Sequence, residues 1–150
     1  MLPPLERPAR DPYVRVAEEE NGDVHGIMHA KLCDAELTSR SSHEHPRMPW
    51  DFHLDMARQT WDALRHAEVI DRLMATELGR HWGDRPVGFA SFAEAYGMDL
   101  AGRLAWLHAV SDRRAGGPHE FAVLDRLAAD ERMHGRNAQR WRAQLVGAEP

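Results

Sequence analysis

Cysteine is almost absent from this chain of 150 residues. Cys33 stands alone, which excludes an intrachain disulfide and a thiolate-based zinc site. Lysine is as scarce: Lys31 is the single lysine among 19 Lys and Arg side chains, a skew that reads as genome bias. No apolar run approaches the ~18 residues that a membrane helix needs, so no membrane span is expected. Met1 to Arg7 lacks a basic region followed by an apolar run, so no secretory leader is expected and the expected compartment is the cytoplasm. Positive charge is also in short supply. A net charge of −5 and a pI near 6.0 argue against broad electrostatic binding to nucleic acid. Sustained strand-like alternation, a solenoid-period repeat and low-complexity tracts are all missing.

What remains is a chain with 43% apolar and 29% charged residues, ordinary values for one globular domain with a real core. Residues 1–20 carry Pro3, Pro4, Pro8 and Pro12 and read as an extended arm, leaving 21–150 as the folded domain. Asn21-Gly22-Asp23 is a turn in which Asp23 can cap a helix. The first helix runs from Val24 to Ser42, with Val24, Ile27, Met28, Leu32, Ala35 and Leu37 apolar and Glu36 at the edge of that stripe. His43 to Pro49 is a loop broken by Pro46 and Pro49, and Pro49 suits the first position of the next helix. That helix extends from Trp50 to Leu78, shows one face of Phe52, Met56, Gln59, Ala63, His66, Ile70 and Leu73, and stops at Gly79. After a short turn over Ser91–Tyr96, a third long helix covers Met98 to Arg114 with Ala101, Leu104, Ala105, His108 and Asp112 inward. Gly116-Gly117-Pro118 stops it. The last helix spans residues 119–146, with an inner face of Phe121, Leu124, Leu127, Ala128, Glu131, His134, Ala138, Trp141 and Leu145. Four long helices with mostly short connections predict an all-α, antiparallel four-helix bundle.

Chemistry concentrates at Glu131 and His134. Residues three apart share one helix face, and here both interrupt an apolar stripe. A buried carboxylate must be paired, hydrogen-bonded or bound to metal. Metal centres in such bundles draw a Glu from each of two helices and a Glu-x-x-His from each of the others. The chain offers one set per helix: Glu36, His66, Asp112, and Glu131 with His134. Imidazole and carboxylate suit iron or manganese. Each residue has a plainer reading. Glu131 with His134 can be a hydrogen-bonded pair, His66 a core histidine, Glu36 a salt-bridge partner of Arg65 or Arg103, and Asp112 a polar helix end. His43 and His45 read as solvent-facing loop residues, the five tryptophans as core and edge packing, and Cys33 as a small core residue.

Residues 24–146 resemble a ferritin-like domain family of bacterial proteins within the diiron-carboxylate superfamily. Glu36 lies 27 residues before position 63, the separation of that family's first two ligand positions. Met48-Pro49 and then Trp61 to Ala67 resemble its Asp-Glu-Ala-Arg-His stretch, and Trp82-Gly83-Asp84 its Tyr-Gly-Asp. Leu104-Ala105 through Arg114 resembles the third-helix segment, and Asp130-Glu131 to His134, with Asn137 and Trp141, the last helix. The departure is Ala63, where the family carries a bridging Glu. Asp62 is rotated about 100° from that position and is no simple substitute.

The resemblance implies a centre of one or two iron ions (manganese or another divalent metal being possible) that uses O₂ to oxidise a small organic substrate. Arg65 and Asp130 would orient the ligands. The rival expectation is a metal-poor, non-catalytic subunit that binds a partner protein or a small molecule. A homodimer, or pairing with a related subunit, is the expected assembly. Iron storage and action on RNA find no support in the residues.

Overall fold

The computed structural model describes residues 15–16, 24–84, 87–88, 90–116 and 122–147. The expected arm lies outside them apart from residues 15–16, as do residues 119–121 of the expected last helix. The described chain is mostly helical: α1 (Val24–Glu44), α2 (Trp50–Glu77), α3 (Ala90–Gly97), α4 (Leu100–Gly116) and α5 (Ala122–Gly147). The all-α class is correct. One addition is a parallel pair of two-residue strands, β1 (Arg15–Val16) and β2 (Val87–Gly88), with Arg15 opposite Val87. Strands this short leave no alternating pattern to detect.

Local chemistry sets the helix ends. Pro49 caps α2 from just outside it, with φ −55° and ψ 151°, one residue earlier than the expected first helical position. Gly79 ends α2 with φ 60°, and the Arg80 N–H donates to the Met74 carbonyl at 3.0 Å. At the start of α4, the Asp99 carboxylate accepts the Gly102 N–H at 2.7 Å, an N-cap that satisfies an orphan donor. The α1–α2 turn is held by imidazoles. His45 Nδ1 donates to the Ser41 carbonyl at 2.9 Å and His53 Nε2 to the Met48 carbonyl at 3.1 Å. That leaves His53 Nδ1 to accept the Ser42 hydroxyl at 2.8 Å.

α1 packs along α2 and α4 along α5, while contacts of α1 with α4 and of α2 with α5 join the two pairs. Two apolar clusters result. One gathers Leu37, Phe52, Met56, Leu104, Ala138 and Trp141, among others; the second gathers Val24, Met28, Ala67, Ile70, Met74 and Leu127. Phe52 meets Trp141 edge-on, ring centres 5.5 Å apart. Between the two clusters α1, α2 and α5 bury polar residues: Lys31 and Asp34, Gln59, Asp62 and His66, Glu131 and His134. A charged layer therefore lies between two dry ones.

The inner faces of α2 and α5 follow the expected registers, with Leu73 and Leu145 only half-buried. Phe121 falls outside the described residues, and the side chain of Leu124 outside the described side chains. Two faces differ. α1 turns His25, His29, Lys31, Asp34, Thr38 and Ser41 inward, while Ile27, Leu32 and Glu36 are half-buried. Thr38 and Ser41 can be buried there because their hydroxyls donate to the carbonyls of Asp34 and Leu37, at 2.8 and 2.7 Å. α4 buries Leu100, Arg103, Leu104, Leu107 and Val110, whereas Ala101, Ala105 and His108 are half-buried. Arg103 fixes that rotation by donating to Glu44 at 2.6 Å and to the Met98 and Tyr96 carbonyls. Trp50 and Trp61 are not core packing; they stand exposed on α2 with Leu54 and Leu64. No described helix is long and apolar enough to cross a membrane.

Candidate functional site: the charged layer

The layer is built from three helices. α1 contributes Lys31, 4% exposed, whose ammonium contacts the Glu131 carboxylate of α5 and lies 4.0 Å from Asp34 Oδ2. α2 contributes Asp62, Arg65 and His66. α5 contributes Asp130, Glu131 and His134. The helical period explains the grouping: residues 31, 34, 38 and 41 fall on one side of α1, and residues 62 and 66, or 131 and 134, lie one turn apart.

His66 is fully buried. Its Nε2 lies 2.9 Å from Asp130 Oδ2, and its Nδ1 lies 3.8 Å from Glu131 Oε1. His134 Nε2 lies 3.1 Å from Asp62 Oδ2. The two rings are 6.4 Å apart and tilted by 33°. A carboxylate only accepts, so Nε2 carries the proton in both imidazoles. Arg65 closes the rim, donating to Asp130 at 2.6 Å and reaching Asp62 at 3.4 Å. Burial raises the Asp130 pKa, but the hydrogen bonds and positive charge of His66 and Arg65 outweigh it and hold that carboxyl below its usual range.

Of the five expected ligands, this geometry gathers His66, Glu131 and His134. Glu36 is half-buried, and α1 presents Lys31 and Asp34 to the layer instead. Asp112 lies on α4, with its side chain outside the described set. Arg65 and Asp130, expected to orient the ligands, bind each other, and Asp130 holds His66 through Nε2. Asp62 does enter the layer, but as the partner of His134 and not as a replacement for the carboxylate missing at position 63. Ala63 is buried at 3% exposure. His29 packs away from this layer, its ring stacked on Trp82 at 5.9 Å and its Nε2 3.5 Å from Cys33 Sγ.

The carboxylates, not the imidazoles, argue against a two-metal centre. A metal needs an unprotonated imidazole nitrogen and a free carboxylate. With Nε2 protonated each ring keeps Nδ1 for a ligand, and His66 Nδ1 faces Glu131 at 3.8 Å. But the Lys31 ammonium takes up that Glu131, while Asp62 and Asp130 are held by the imidazole N–H groups and by Arg65. Among the described residues no group of three or more His, Cys, Asp or Glu side chains is placed to hold a metal ion. What the arrangement does provide is pairing: Lys31 holds Glu131, and Arg65 with the two imidazole N–H groups holds Asp130 and Asp62. Lys31 is the member that sequence reasoning missed, and its signal was a lone lysine one turn from Met28 and Asp34 on the inner face.

No family model, curated protein or solved structure matches the chain.

Proposed function

We propose that the chain is a ferritin-like four-helix bundle whose centre is closed by ion pairs, and that it works as a non-catalytic subunit that binds a protein partner. The observation that carries this reading is the Lys31 ammonium on Glu131. A lysine here is a covalently tethered cation that competes with any metal for the same carboxylate. Glu131, Asp62 and Asp130 each already have a donor, and apolar clusters flank the layer on either side. The exposed apolar side chains on α2 supply a surface of the kind that partner binding uses.

Thermal melting of the purified protein tests the reading. The expected result is a Tm unchanged by chelator and by Fe(II) or Mn(II) under anaerobic conditions, because a ligand that does not bind the native state does not stabilise it. A rise of several degrees with stoichiometric metal would return the oxygen-dependent iron enzyme as the better reading.

A further inference from the structure

We infer that α2 pairs with α2 of a second copy of this chain, antiparallel, through the row Trp50, Leu54, Ala57, Trp61 and Leu64. This rests on the partner-binding reading and names the partner on that same α2 face as a second copy, away from the charged layer. The row follows spacings of four, three, four and three residues, the seam that two packed helices share. All five residues are exposed, Trp50 at 73%, Trp61 at 67%, Leu54 at 51% and Leu64 at 46%. The opposite face of α2 is already buried in the core, so the row has no use inside the fold.

Four of the five residues are complementary to their own reverse, with Leu64 beyond the overlap. Turned end to end, the row sets Trp50 against Trp61 of the second copy and Leu54 against Ala57, a large residue over a small one. The two-fold axis repeats each contact. The same register brings Asp51 beside Arg58 of the second copy, again twice. Both are exposed, and neither makes an ion pair among the described residues. Asp51 and Arg58 lie on the same flank of the seam, and such flanks meet only in an antiparallel pair. A parallel pair would put Arg58 beside His53 and leave Asp51 without a charged partner, so charge favours the antiparallel form. With on the order of 150–250 Å² offered by each tryptophan, the row exposes roughly 500 Å² of apolar side chain per copy. Two copies with their polar flanks then reach about 1,200 Å², the lower bound of stable interfaces.

Light scattering after size exclusion, with the full chain at about 100 µM, is the test, a concentration at which a dimer of micromolar Kd is populated. A dimer is expected, and Trp61→Glu should give a folded monomer. Asp51→Arg and Arg58→Asp should each weaken the dimer by about tenfold. The double exchange, which restores opposite charges across the interface, should recover most of that loss. These positions are exposed, so the variants should keep the wild-type circular dichroism spectrum and a cooperative melt, lowered only by the lost association. A wild-type monomer, a dimer indifferent to Trp61→Glu, or a double exchange no better than the single ones would overturn the pairing. None of these outcomes changes metal uptake, so the reading of the charged layer stands or falls separately.

Discussion

Lys31 and Glu131 touch across α1 and α5, and each side chain is only 5% exposed. Taking both out of water costs several kcal/mol per ion, and their attraction roughly offsets it. The pair contributes less to net stability than its contact suggests, but breaking it is expensive. Lys31→Met should therefore lower stability by about 3–5 kcal/mol, since Glu131 is left buried without its cation. For a chain of this size that is a Tm loss on the order of 10 °C. Lys31→Met combined with Glu131→Leu should recover much of it, and a double-mutant cycle by urea unfolding measures the coupling directly.

His134 is expected to act through a single hydrogen bond. His134→Ala should cost about 1–3 kcal/mol, because Asp62 Oδ2 loses its donor and the buried carboxylate keeps only Arg65 at 3.4 Å on its other oxygen. His134→Gln carries an amide that can donate to the same oxygen and should keep most of the stability. Equal losses in the two variants, measured by chemical denaturation, would assign His134 to packing.

Acid sensitivity should trace to Asp130 and Glu44. Both carboxyls are held below their usual values of 3.8 and 4.5. Asp130 gains more from His66 and Arg65 than burial removes. For Glu44, hydrogen bonds from Arg103 and then Arg40 lead. As pH falls, the unfolded chain takes up these protons before the folded one does. Their stabilisation is complete above the unfolded values and fades as pH drops through the lower folded ones. Urea unfolding between pH 6 and about 3 should show this decline, and Asp130→Asn should flatten part of it.

The core prediction is conventional in size. Phe52 is fully buried and packs edge-on against Trp141. Phe52→Ala should cost about 3–5 kcal/mol in denaturant unfolding.

The helices and the inner faces of α2 and α5 were legible because Phe52, Met56, Ala63 and Ile70, or Leu127, Ala138 and Trp141, repeat at the helical period. The faces of α1 and α4 were not. α1 buries Thr38 and Ser41, whose hydroxyls return to their own helix, so its inner side looks polar in sequence. α4 buries Arg103, which a sequence reading sends to solvent. Both errors share one cause: polarity stands for exposure until the partner is known. Lys31 was passed over for that reason, and Glu36 preferred although Lys31, Asp34 and Thr38 keep the better register. The opposite error applies to Trp50 and Trp61, assigned to packing by their size although the period places them opposite Met56 and Ala63.

The most direct measurement is metal content per chain, by mass spectrometry, after anaerobic loading with Fe(II) and removal of the excess. If Lys31 closes the centre, the content stays far below one metal per chain and does not depend on His134. One or two metals per chain, lost in His134→Ala, would contradict the account and make Lys31 a side chain that metal displaces.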